Sequence, residues 1–206
     1  MSAPRRIEGP AGRLEVLMNL PSKAAVRAAA VIGHPHPLHG GTMHTKVVYR
    51  TAKALASIGC AVLRFNFRGV GASAGTFADG AGEQEDFRAA LEFMAGRHAD
   101  VPLWAAGMSF GAYVALTTGA DGRVERLLGI APPVDRYDFS PLRESTAIKY
   151  IIHGEQDEIC PPDRVRSLFD ELPGPKRLIL VPGASHLFTG KESLVTDAVV
   201  SLFGAP

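Results

Sequence analysis

Hydrophobic positions along the chain follow two periods. Residues 13–20 (RLEVLMNL) put Leu14, Val16, Met18 and Leu20 on one face at period two, which predicts a half-exposed strand near a sheet edge. Six later runs are short and nearly continuous: AAAVIG (28–33), AVLRFNF (61–67), PLWAAG (102–107), LLGIA (127–131), AIKYIIHG (147–154) and RLILV (177–181). Runs of this kind suit strands covered on both faces, as in a parallel sheet. Between them the period lengthens. Val48, Ala52, Leu55 and Ile58 share a helical face closed by Gly59, and Phe87, Ala90, Leu91 and Met94 form a second. Val165, Leu168, Phe169 and Leu172, introduced by Pro161, Pro162 and Asp163, form a third, and Val195, Ala198, Val199 and Leu202 a fourth. Strand–helix alternation predicts an α/β fold with right-handed crossovers. No repeat or linker interrupts it, so a single domain over 1–206 is expected, with the Gly-rich stretch 69–82 as a loop.

Composition narrows the function classes. Charged residues are 21% and hydrophobic residues 46%, a globular balance that excludes a largely disordered chain. Net charge is +1 from 22 basic and 21 acidic residues, and without a basic stripe nothing points to nucleic acid. Cys60 and Cys160 make no disulfide framework. Two free thiols in a reducing compartment is the simplest reading, and a cytoplasmic location follows as an expectation. The start, MSAPRRIEGP, has no apolar run behind Arg5 and Arg6, so secretion by a signal peptide is not expected. No segment reaches the ~18 uncharged apolar residues of a membrane span.

The candidate chemistry centres on Gly107-Met108-Ser109-Phe110-Gly111. It follows the apolar strand PLWAA and precedes a helical segment, AYVALTTGA. In that context G-x-S-x-G denotes a nucleophile elbow, a sharp strand-to-helix turn that lifts the serine above the sheet. Bulky side chains at the flanks would clash, hence the two glycines. The following helix N-terminus favours a developing oxyanion.

A serine hydroxyl needs a base. His186 lies in Pro182-Gly183-Ala184-Ser185-His186, directly after the strand RLILV, at the carboxyl edge of the sheet where ligands bind in open α/β folds. An acid is expected one strand over, in His153-Gly154-Glu155-Gln156-Asp157-Glu158-Ile159-Cys160. It would accept the Nδ1 proton of His186 and fix its tautomer. Asp157, Glu155 and Glu158 crowd this loop, and spacing alone does not choose among them.

His34, His36, His39 and His44 cluster after the strand AAAVIG. They have no cysteine or carboxylate beside them and lack the i, i+4 spacing of a helical zinc motif. No metal is therefore expected. RFNFRGVGASAG (64–75) contains neither phosphate-binding glycine pattern and reads as a structural loop.

Taken in order, GHPHPLHGGTMH (33–44), RFNFRGVGASAG (64–75), GMSFG (107–111), HGEQDEICPP (153–162) and GASH (183–186) resemble the α/β-hydrolase superfamily over about residues 11–203. The chain is most similar to small, capless hydrolases related to the dienelactone hydrolases. The resemblance implies a mostly parallel central sheet with helices on both faces. Only about 15 residues, 132–146, stand where larger members insert a cap. It also implies Ser109 as nucleophile, His186 as base and, through the HG-x-x-D pattern, Asp157 as acid. It makes the Phe110 N–H, next after the nucleophile, the first oxyanion donor and draws the second from the loop after AAAVIG. There Pro35 and Pro37 have no N–H, which leaves His36 or Leu38, and the alignment favours His36. Asp135, after the preceding strand, is the alternative acid.

The expected activity is hydrolysis of a small-molecule carboxylic ester through an acyl-enzyme, without cofactor. A non-catalytic binding protein on the same fold is the alternative from another class. An acyltransferase or small-peptide hydrolase with the same three residues is the other.

Overall fold

The computed structural model describes residues 5–22 and 25–204. The first four residues of the N-terminal stretch just read lie outside that range. The strands are β1 (Arg6–Gly9), β2 (Gly12–Asn19), β3 (Ala28–Gly33), β4 (Cys60–Phe65), β5 (Leu103–Met108), β6 (Arg126–Ile130), β7 (Ile148–Gly154) and β8 (Lys176–Val181). The helices are α1 (Lys46–Ser57), α2 (Ala81–Arg97), α3 (Phe110–Thr118), α4 (Pro162–Glu171) and α5 (Glu192–Phe203). One sheet runs in the order β1-β2-β4-β3-β5-β6-β7-β8. β1 and β2 are antiparallel to their neighbours, and the six strands β3 through β8 are parallel to one another.

The near-continuous apolar runs are explained by burial on both sides. Alternate residues of one strand enter different cores. Ala29 and Val31 enter the core that also holds Phe87 of α2, Val114 of α3 and Val165 of α4. Ala28, Ala30 and Ile32 enter the opposite core, with Val48 and Leu55 of α1 and Val195 and Val199 of α5. Both faces therefore demand apolar side chains, which erases the period-two signal. Gly59 ends α1 at φ 97°, the left-handed backbone its place after Ile58 requires.

Two strands differ from the sequence reading. β1 is not visible in the pattern, because RIEG offers one core residue, Ile7, and four residues are too few to show a period. It lies outside β2, so the strand at 12–19 is second from the edge. β8 closes the other edge. Its Leu178, Ile179 and Leu180 are only half-buried, although the run looked like a covered strand.

The excursion between β6 and β7 holds only the one-turn helix Ser140–Arg143, so no cap is present there, as expected. Opposite it, the loop after β4 is held by buried polar groups. Asp86 of α2 accepts from the Arg68 backbone N–H at 2.9 Å and from its guanidinium at 3.0 and 2.8 Å. Asn66 accepts from the Met43 N–H at 2.9 Å, joining this loop to the one after β3. Among the described residues no helix is long and apolar enough to cross a membrane.

Candidate active site

The site begins where β5 turns into α3. Ser109 sits in the turn at φ 53°, ψ −120°, a left-handed backbone that a non-glycine residue adopts at a cost of ~1–3 kcal/mol. The turn is tight because α3 folds straight back over the strand end. A Cβ on Gly107 would stand 1.9 Å from the Gly111 carbonyl oxygen, and one on Gly111 would stand 2.4 Å from the backbone of Gly33. The glycines are thus required by backbone contact, not by their own dihedral angles. The Ser109 carbonyl accepts from the Ala112 and Tyr113 N–H groups at 2.8 and 3.1 Å, which starts the helix. The Phe110 N–H is left without an acceptor among the described residues.

His186 reaches this turn from the loop after β8. Its Nε2 is 2.9 Å from Ser109 Oγ, and its Nδ1 is 2.8 Å from Asp157 Oδ2. A carboxylate partner places the proton on Nδ1, so Nε2 offers its lone pair to the hydroxyl. Asp157 Oδ1 accepts from the Ile159 and Cys160 N–H groups, both at 2.9 Å. Burial pushes the Asp157 pKa up, but the bonds from His186 and the Cys160 N–H outweigh it and hold the group below the usual aspartate value.

The three acids that spacing could not separate have three different partners. Asp157 binds the His186 ring, Glu158 accepts the His186 backbone N–H at 3.1 Å, and Glu155 accepts the Gly183 N–H at 3.3 Å. The acidic loop after β7 thereby carries the whole histidine loop after β8. Asp135 instead faces Arg164, 3.8 Å away, and makes no hydrogen bond to His186.

The loop after β3 supplies the opposite wall. His34 is fully buried. Its Nε2 accepts the Phe67 N–H at 3.1 Å, so the proton is on Nδ1, which donates to the Pro35 carbonyl at 2.6 Å. That fixes the plane of the Pro35–His36 peptide and turns the His36 N–H away from His34, since carbonyl and N–H oppose in a trans peptide. The His36 N–H has no acceptor among the described residues, whereas the Leu38 N–H is occupied by His36 Nδ1 at 3.2 Å. Of the two donors left open by sequence, only His36 has a free N–H. The four histidines do not converge. His36 stacks on His39 with ring centroids 4.6 Å apart, and His44 is exposed. The described residues contain no metal-holding group of three or more His, Cys, Asp or Glu.

Between the walls lies an open cleft of ≈ 250 Å³. Ser109 and His186 stand in its floor with Phe110, and Ile159 and Leu187 line its mouth. Its charged side chains are Arg136 and Glu158. Glu158 is turned to the His186 N–H, and Arg136 has no ion-pair partner among the described residues.

The family described as "Serine aminopeptidase, S33" matches residues 36–149. The chain belongs to this family of α/β hydrolases. An α/β serine hydrolase homologue from Coxiella burnetii is 38% identical, with a TM-score of 0.92, covering 96% of this chain and 95% of that one. A lidless α/β serine hydrolase from Xanthomonas campestris is 39% identical, with a TM-score of 0.89, covering 95% and 90%. An uncharacterized protein of Rickettsia prowazekii is 35% identical over 201 residues, 93% of this chain and 84% of its own length. The superfamily and the capless architecture expected from the motifs are therefore both found.

In this S33-family chain, sequence reasoning missed Glu158 as a backbone anchor, Arg136 and Tyr137 as residues that line the cleft, and the role of His34. The first two sit on loops, where lining residues carry no periodic signal. His34 also makes acid stability predictable. Burial lowers its pKa from 6.5 to about 4. Between those values the unfolded chain binds a proton that the folded one refuses, so stability falls as pH drops from 6.5 towards 4, by roughly 3 kcal/mol. Urea midpoints measured across this range should show that loss. They should show a shallower slope in His34→Gln, and an equal slope would refute the assignment.

Proposed function

We propose that the protein hydrolyses carboxylic esters through an acyl-enzyme formed on Ser109. The observation that carries this reading is the continuous relay from Ser109 Oγ through His186, at 2.9 Å, to Asp157, at 2.8 Å. His186 takes the hydroxyl proton as Oγ attacks the ester carbonyl. It then returns the proton to the departing alcohol, and activates water in the same way to release the acid. Asp157 holds the tautomer and stabilises the imidazolium. The free N–H groups of Phe110 and His36 are the donors proposed for the tetrahedral oxyanion, each worth ~3–4 kcal/mol in such sites. No cofactor enters these steps. With no cap, a small-molecule substrate can enter the cleft directly. Free, buried Cys60 and Cys160 support work in the cytoplasm.

The family's aminopeptidase description favours one second reading, removal of an N-terminal amino acid. That chemistry needs a carboxylate for the substrate ammonium. Glu158 is the carboxylate lining the cleft, and it is already bonded to the His186 N–H. The ester reading is therefore preferred. The test is a fluorophosphonate probe followed by a panel of activated esters, neutral and carboxylate-bearing because of Arg136, beside aminoacyl anilides. Stoichiometric labelling of Ser109 with turnover of esters over anilides is expected. Anilide preference would install the second reading, and no labelling would leave a non-catalytic binding protein.

A further inference from the structure

We propose that His153, a β7 residue outside the cleft, is a positioning residue that fixes Asp157 against His186. This rests on the ester-hydrolase reading of the same site.

His153 is fully buried and takes no part in the relay. Its Nε2 lies 2.9 Å from the Cys160 carbonyl and 3.5 Å from Asp157 Oδ2. Both neighbours are acceptors, so Nε2 carries the proton. Nδ1 is then a bare lone pair, and it has no partner among the described residues.

The chain between these groups forms a closed clasp. β7 ends at Gly154, and the loop curls so that Cys160 returns over the His153 ring. The Cys160 carbonyl meets the ring while its N–H meets Asp157 Oδ1 at 2.9 Å. One imidazole thus fixes the segment that supplies two of the three hydrogen bonds to the Asp157 carboxylate. Its N–H dipole also faces the oxygen shared with His186. The acid is consequently held by the Ile159 and Cys160 N–H groups on Oδ1 and by His186 on Oδ2, while His153 Nε2 stands 3.5 Å from that second oxygen.

The orphaned Nδ1 argues that this ring serves the site and not the core. A buried acceptor without a partner destabilises the fold. Leucine at 153 would remove that defect but strip the Cys160 carbonyl of its donor, so the one hydrogen bond the ring makes goes to the segment that holds Asp157. Burial also lowers the His153 pKa, which keeps the ring neutral beside the acid.

The test compares His153→Leu with His153→Gln, whose amide N–H can reach the Cys160 carbonyl. Rates are counted per serine labelled by the fluorophosphonate, so unfolded protein does not enter. In His153→Leu the urea midpoint should stay near that of the wild type, since one unpaired buried acceptor, Nδ1, is exchanged for another, the Cys160 carbonyl. Its kcat should fall roughly 10- to 100-fold, as for a small misplacement of a reacting group, with KM little changed. The acidic limb of kcat/KM against pH should be displaced, and the low-field proton resonance of the His186–Asp157 bond should broaden or move. His153→Gln should recover most of the rate and the wild-type profile. A wild-type rate and resonance in His153→Leu would overturn the proposal. So would an equal loss in both variants with an undisplaced profile. If wild type neither labels nor turns over esters, the ester reading fails instead, and the proton resonance still decides whether His153 holds the pair.

Discussion

Replacing Ser109 by alanine is expected to abolish ester turnover and fluorophosphonate labelling while leaving the fold in place. The side chain lost is one hydroxyl at the floor of an open cleft, and its hydrogen-bond partner His186 keeps Asp157. The turn itself is made by Gly107, Gly111 and the backbone bonds of residue 109, none of which needs the hydroxyl. Urea unfolding should therefore shift little. The rate should fall by ~10⁴–10⁶, because removing one member of a coupled triad disables the others as well. What remains would come from the Phe110 and His36 N–H groups and from binding. Purified, folded Ser109→Ala retaining more than a tenth of the wild-type rate would remove Ser109 as the proposed nucleophile and return the fold to the binding-protein reading.

The parts of this site that are legible in sequence are those set by local chain geometry. The elbow is local. Strand, Gly107, Ser109, Gly111 and helix are consecutive, and close backbone approach leaves no other residue type at the two glycines. His186 is legible because it directly follows the last strand, at the sheet edge where open α/β folds gather their ligands. The choice among Glu155, Asp157 and Glu158 is not local. It depends on how the loop curls around His153 and on which backbone N–H groups of residues 183–186 face it. The resemblance to a family pattern pointed to Asp157 where spacing could not. The histidine loop shows the same division. Four histidines within eleven residues look alike in sequence, yet one is a buried linker between two loops, two form a stacked wall and one faces solvent. In the fold, double-sided burial made β3 to β7 readable as strands, whereas the short hairpin strand β1 and the half-exposed edge strand β8 obeyed no such pattern.

Exchanging the acid for its amide should separate Asp157 from Asp135. In the wild type, Asp157 Oδ1 accepts two backbone N–H groups and Oδ2 accepts the ring of His186. An asparagine there has one oxygen and one NH2. The two N–H donors at Ile159 and Cys160 demand the oxygen, so the NH2 turns to His186. A donor facing Nδ1 forces the ring proton onto Nε2, where it points at Ser109 and can no longer accept the hydroxyl proton. The geometry would survive and the base would be in the wrong tautomer, a change that costs about 10⁴ in rate. Asp135→Asn offers a contrast with the same chemistry. Its carboxylate is exposed and 3.8 Å from the likewise exposed Arg164, a surface pair worth ~0–1 kcal/mol. Its loss should leave kcat/KM near wild type. Both variants, purified and matched for urea midpoint, are to be assayed on one activated ester at neutral pH. Near-complete loss in Asp157→Asn with near-normal Asp135→Asn is expected. The reverse ranking would move the acid to the loop after β6 and require that loop to swing towards His186, while leaving Ser109 and His186 in their proposed roles.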